Sequence, residues 1–185
     1  MPRPRTTETS ERIRSAALEL IALKGVHQVS LRQIAERVGI TKPALYYHFD
    51  SRETLVRSLV QPLINDVTAT LASVDPGAGP RELLGSYFDA TYRHRDITAM
   101  IMRDPSILAL VDVGPAVVQW RQRLVTMLVG PAPSLAQRVR ANLAIGGMDD
   151  CSAIPDVPAD ALREAVLDAA IDALGVPADR RQSGS

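Results

Sequence analysis

The feature that most constrains this chain is the stretch Ser30–Arg52, SLRQIAERVGITKPALYYHFDSR. Leu31, Ile34, Ala35 and Val38 stand at i, i+3, i+4 and i+7, which is one face of a helix. Ser30 precedes that face, where its hydroxyl caps the first free N–H groups. Gly39 follows it, where a left-handed backbone costs glycine nothing. Thr41 is placed to cap a second helix, and Pro43 falls in its first turn, where a missing N–H loses no bond. Leu45 and Phe49 repeat at i and i+4 and give that helix a narrow apolar stripe. Ala35 is small where the helices cross, and Leu45 plugs the space between them. The spacing predicts a helix-turn-helix, whose second helix enters the major groove of DNA.

The residues facing away from the stripe suit that use. Thr41, Lys42, Ala44, Tyr46, Tyr47 and His48 offer donors, a cation, aromatic rings and a small apolar contact. These serve phosphates, base edges and thymine methyls. Ser30, Tyr47 and Arg52 are expected to hold phosphates and set register. Arg32, Lys42, Pro43, Ala44, Tyr46 and His48 are expected to face base edges or methyls. The same pattern also fits an ordinary helical hairpin with a solvated face. The joint occurrence of turn, plug, Tyr-Tyr-His-Phe run and following Ser-Arg-Glu favours DNA.

From about Glu11 to about Leu59 the sequence resembles the tetracycline-repressor-like (TetR) family of bacterial transcription regulators. The resemblance is carried by Ile34-Ala35, Gly39-Ile40, Pro43-Ala44-Leu45-Tyr46-Tyr47-His48-Phe49 and Ser51-Arg52-Glu53. Arg52 stands where the family usually has Lys; both are cations, and Arg grips a phosphate in a bidentate way. Ala44 stands where Gly, Thr or Ser is frequent, so a hydroxyl contact there is absent. The resemblance implies a ligand-responsive repressor that binds a palindromic operator as a homodimer. It also implies a small-molecule pocket within residues 80–150.

Charge agrees in its distribution, not its sum. The 185 residues carry 21 Lys/Arg and 21 Asp/Glu, a net charge of zero. Residues 1–60 hold ten basic and six acidic side chains, a surplus of four positive charges on the part that carries the helix-turn-helix. An apolar content of 46% marks a globular chain. The single cysteine, Cys151, allows no internal disulfide and fits a reducing cytoplasm. The N-terminus lacks the apolar core of a signal peptide, and no apolar run reaches about 18 residues, the length of a membrane span.

Elsewhere the pattern is helical throughout, an all-α fold of about nine helices with no credible strand. Met1–Thr7 is a basic arm, and a first helix spans Thr9–Lys24 with Ile13, Ala16, Ala17, Leu20 and Ile21 on one face. Leu55, Leu59, Leu63 and Val67 continue a helix from Ser51 that contains Pro62, where a kink is expected. Asp75–Pro80 breaks the chain. Further helices are expected over 81–95, 97–103, 107–111, 116–129, 134–148 and 160–174. The expected division is a DNA-binding domain over 1–52, a helical ligand-binding and dimerisation domain over 53–177, and a disordered tail over 178–185.

Tyr87, Tyr92, Met100, Met102, Arg103, Trp120 and Met127 supply the bulky, adaptable and polar side chains of a pocket between helices. For each taken singly, plain core is the simpler reading. In the last two helices, Ala141, Ala144 and Gly147, and Ala165, Ala169 and Ala173, form small-residue faces. Two such helices from each of two chains make a four-helix bundle, which suits a reader of a two-fold operator. A helical interaction protein with a degenerate helix-turn-helix is one alternative. A thiol enzyme using Cys151 beside Asp150, with His94, is the other. No nucleophile elbow, phosphate loop or metal-ligand spacing supports the enzyme, and no metal or cofactor is expected.

Overall fold

The computed structural model describes residues 4–75, 77–152 and 154–175; the start of the basic arm and the tail beyond Gly175 lie outside them. Ten α-helices and one short 3-10 turn make up the described chain, and no strand occurs among these residues. They are α1 (Pro4–Lys24), a 3-10 turn (Val26–Gln28), α2 (Leu31–Val38), α3 (Lys42–His48) and α4 (Arg52–Ser73). There follow α5 (Pro80–Tyr92), α6 (Arg95–Arg103), α7 (Ser106–Leu110), α8 (Gly114–Val129), α9 (Leu135–Cys151) and α10 (Ala159–Leu174). The all-α expectation is met, and the ten helices overlap the stretches marked as helical in the sequence. Part of the anticipated arm is helical, since α1 begins at Pro4 rather than Thr9.

The chain forms two compact units. The first is the chain up to Pro62 together with Met100–Val113; the second is Leu63–Ala99 with the chain from Gly114 onward. The first unit thus runs past the boundary expected at residue 52 and draws in the end of α6 and all of α7.

In the first unit, α1 buries Ile13, Ala16, Ala17 and Ile21, and α2 buries Leu31, Ile34, Ala35 and Val38. Leu45 of α3 is fully buried among them, with Phe49 close behind. Leu55, Val56, Leu59 and Val60 of α4 complete this core. A three-helix head of this length buries too little apolar surface to be robust alone. Met100, Ile107, Val111 and Val113 are buried members of the same unit and enlarge it. At the start of α7 the Asp104 carboxylate accepts both the N–H and the hydroxyl of Ser106. Pro62 lies exposed inside α4, so the helix runs through the proline.

In the second unit, α5 is the central element, burying Leu83, Leu84, Tyr87, Phe88, Ala90 and Thr91. Helices α9 and α10 pack along one another, and both meet α5. Ser134 opens α9 with a capping box to Gln137, and Gly175 ends α10 in the left-handed region at φ 68°. Arg163 of α10 grips Asp89 of α5 with two bonds of 2.8 and 3.0 Å. The grip needs Gly85, because a Cβ there would stand 2.7 Å from the guanidinium of Arg163. Arg81 pairs with Glu164 and Asp168 one turn further along the same seam.

Candidate nucleic-acid interface

Local bonding shapes the Ser30–Arg52 stretch. Ser30 Oγ accepts the N–H of Gln33 at 3.3 Å while Gln33 Oε1 accepts the N–H of Ser30 at 2.9 Å, a closed capping box. Gly39 has φ 75° and ψ 34°, and its N–H reaches back to the carbonyls of Ala35 and Glu36. The N–H of Ile40 takes the Ala35 carbonyl at 3.0 Å, so the corner satisfies the last carbonyls of α2. Thr41 Oγ1 accepts the N–H of Ala44 and starts α3. A side chain from outside the stretch finishes the corner: Arg12 of α1 donates to the Val38 carbonyl at 2.8 Å. With Leu45 fully buried beneath it, α3 has one possible outward face.

That face carries Lys42, Pro43, Ala44, Tyr46 and Tyr47, all exposed. Tyr47 is 80% exposed, far more than a ring accepts in a core. Lys42 Nζ lies over the Tyr46 ring, 5.5 Å from its centre, so cation and ring are presented together. A cleft of about 530 Å³ runs between the starts of α2 and α4 and the side of α3. It brings Ser30, Arg32, Lys42, Tyr46 and Arg52 together, five of the ten residues assigned to DNA, with Asp50 and Glu53 as acidic neighbours.

Four of the ten are engaged by other groups of the chain. His48 is half-buried with Nδ1 2.9 Å from Ser10 Oγ of α1, which makes it a brace between helices rather than an open base reader. The guanidinium of Arg52 donates to the carbonyls of Val26 and His27, each at 3.4 Å, and ties the 3-10 turn to the start of α4. Ser30 gives its N–H and its hydroxyl proton to Gln33 and serves as the cap of α2. Arg32 is exposed but held by Glu36 at 2.8 Å, a bond that also raises its pKa. Sequence patterning missed the supporting residues Ser10, Arg12 and Glu36. For Glu36 a signal existed, the i,i+4 spacing from Arg32. For Ser10 and Arg12 there was none, because their partners lie 38 and 26 residues away.

The seven residues expected to line a pocket are divided between the two units. Met100, Met102 and Arg103 fall in the first unit, with Met102 and Arg103 exposed on the outer side of α6. In the second unit Tyr87 is core, 1% exposed, its hydroxyl donating to Asp149 at 2.8 Å. Asp149 also takes Arg121 at 2.8 Å, and burial holds its pKa above the ordinary carboxylate value. Tyr92 stacks on Phe88 at 5.2 Å. Trp120 is buried, and its Nε1 finds no acceptor among the described residues. Met127 lines a cleft of about 620 Å³ between the ends of α4 and α8.

Of the small residues assigned to a partner, Ala141 and Ala144 are buried within the single chain, where α9 meets α10. Gly147, Ala165 and Ala169 remain exposed, and Ala173 is half-exposed. The sequence reading overlooked Leu135, Val139 and Leu143 as surface groups; they stand at i, i+4 and i+8 on α9 and are 69%, 49% and 64% exposed. His94 is bound through Nε2 to Asp66 at 2.8 Å, so it is not poised toward a thiol.

The geometry defines a helix-turn-helix protein. Residues 13–59 match the family described as bacterial regulatory proteins, tetR family. Among curated proteins, the uncharacterized HTH-type transcriptional regulator YerO of Bacillus subtilis (strain 168) is 29% identical over 104 residues, covering 52% of this chain and 36% of its own length. The HTH-type transcriptional regulator SrpR of Pseudomonas putida is 38% identical over 68 residues, covering 35% of this chain and 32% of its own. The matches thus span only about a third of these two relatives. A crystal structure of a transcriptional regulator from Aquifex aeolicus VF5 superposes with a TM-score of 0.67 at 20% identity, covering 87% of this chain and 96% of that one. Residues 13–59, the N-terminal helices, are thus similar to the tetR family of bacterial regulatory proteins.

Proposed function

We propose that the chain is a DNA-binding transcriptional regulator, a repressor that holds a palindromic operator as a homodimer and is released by a small molecule. The observation that carries this reading is the outward face of α3, where Lys42, Tyr46 and Tyr47 stand exposed on a helix fixed from below by Leu45. Lys42 and Tyr46 approach base edges, with Pro43 and Ala44 beside them for methyl contacts, and Tyr47 meets a phosphate. Arg32 adds a cation from α2. His48 and Arg52 act behind them by holding α3 and the start of α4 in place.

A two-fold operator needs two heads about 34–36 Å apart. The exposed row Leu135, Val139 and Leu143, with Gly147, Ala165 and Ala169, supports a second copy of the chain as the cover of this surface. A ligand that favours another separation of the heads shifts the population away from the DNA-bound form. The reading places the protein in the cytoplasm with its operator; no described helix is long and apolar enough to cross a membrane.

Selection of bound fragments from a random DNA pool tests the reading. The expected result is an enriched palindrome that Lys42→Ala and Tyr46→Ala variants no longer hold, although each still forms the wild-type oligomer. No enrichment, or unchanged affinity in both variants, overturns it.

A further inference from the structure

We propose that the cleft at the ends of α4 and α8 binds a small organic anion with an apolar or aromatic body, recognised through Arg123. The proposal deepens the effector part of the reading above and rests on it, and of the side chains marked in the sequence for a pocket it keeps Met127. The cleft measures about 620 Å³, within the range of small-molecule sites. Its floor is apolar: Leu71 and Leu83 are buried core residues that also face it, and Met127 of α8 supplies an adaptable wall.

The polar groups of the cleft are not equivalent. Ser73 donates its hydroxyl to the Thr70 carbonyl at 2.9 Å, and Thr126 donates to the Gln122 carbonyl at 2.9 Å. Both protons are therefore spent within the helices. Asp75 accepts the N–H of Gly77 at 2.6 Å. Arg123 is different. It is exposed, lines the cleft, and makes no hydrogen bond or ion pair with any described residue. Arg12, Arg32, Arg52, Arg81, Arg121 and Arg163 are each engaged with a carboxylate or a carbonyl. A guanidinium above an apolar floor, with no carboxylate of its own, matches a carboxylate or sulfonate on a hydrophobic body. The last turn of α4 and the Asp75 carboxylate also line the cleft and bring negative charge to that end, so the ligand's anionic group sits at Arg123, the cationic side chain of the lining, with its apolar body over Leu71 and Leu83.

The probe is 8-anilinonaphthalene-1-sulfonate, an aromatic anion whose fluorescence rises on leaving water, titrated into the full-length protein without DNA. The expected result is saturable binding of one probe per chain. Arg123→Glu should weaken it by about tenfold or more, the loss expected for a charge-assisted bond. Met127→Trp, which fills the cleft, should weaken it similarly. Rhodamine 6G, an aromatic cation, should bind more weakly to the wild type. Thermal melting confirms that each variant is folded, and Arg123→Gln replaces Arg123→Glu if the latter is not. Absence of saturable binding, equal binding by the arginine variants, or tighter binding of the cation overturns the proposal. A second titration, with operator DNA bound, separates the two readings. Probe binding without DNA release removes the effector role and leaves the site. Absence of probe binding removes the site and leaves the DNA reading.

Discussion

The backbone N–H of Val26 donates to the carboxylate of Asp104 at 3.3 Å, across 78 positions of chain. Val26 belongs to the 3-10 turn that leads into α2, and Asp104 stands between α6 and α7. Two further bonds frame the same turn. His27 Nε2 lies 2.9 Å from Ser106 Oγ, and Arg52 donates to the carbonyls of Val26 and His27 from the other side. The approach to the helix-turn-helix is thus held by a part of the chain that its own sequence neighbourhood does not contain.

Asp104 gives this bracket a pH signature. The Ser106 hydroxyl first, then the N–H groups of Val26 and Ser106 and the nearby His27, hold its carboxyl below the ordinary carboxylate pKa. A lowered folded-state pKa contributes stability that is present above the unfolded value of about 3.9 and lost as pH falls through the folded value. Asp104→Asn is expected to melt below the wild type at pH 6, with the gap closing below about pH 4. Melting curves of both proteins across that range check it, and a gap that stays constant would count against the bracket.

Asp149 should behave in the opposite sense. Burial raises its pKa, although Tyr87 and Arg121 both favour the carboxylate. A raised carboxyl pKa means stability that is fullest below the unfolded value and declines as pH rises through the folded value. Tyr87→Phe removes one of the two bonds that offset the burial and is expected to cost about 1–3 kcal/mol at neutral pH. The loss should shrink in acid, where the carboxyl is protonated; chemical denaturation at pH 4 and pH 7 measures the difference.

Leu45 is fully buried between α2 and α3. Leu45→Ala is expected to lower stability by about 2–5 kcal/mol, from lost transfer energy and the cavity left behind. Urea denaturation measures it. DNA affinity should fall with it, since α3 loses the support that fixes its outward face.

Lys42 is exposed, with its ammonium over the Tyr46 ring. Lys42→Ala should leave the melting temperature almost unchanged, as exposed cation–π pairs contribute only about 0.5–1 kcal/mol. If Lys42 meets a phosphate, the slope of log affinity against log salt should fall by about one. If it meets a base, the slope should hold while sequence preference relaxes. Operator titrations at several salt concentrations distinguish these from a Lys42 that does neither.

Leu143 is 64% exposed on α9. Leu143→Glu is expected to shift the protein from dimer to monomer in analytical ultracentrifugation without lowering the monomer's helicity. A dimer as tight as wild type would move the interface elsewhere.

The residues from Ser30 to Phe49 determined the helix-turn-helix by themselves, because caps, a left-handed glycine and a buried plug act between neighbours within one or two turns. The caps at Ser30 and Thr41, the φ of Gly39 and the burial of Leu45 follow from that local chemistry. Which outward side chains stay free was decided only by tertiary structure. Ser10 claimed His48, and the carbonyls of Val26 and His27 claimed Arg52. The same holds further along, where packing of α9 on α10 buried Ala141 and Ala144 and left Leu143 outside. Apolar spacing marks a face but cannot say which helix covers it, since that depends on chain segments brought together from a distance.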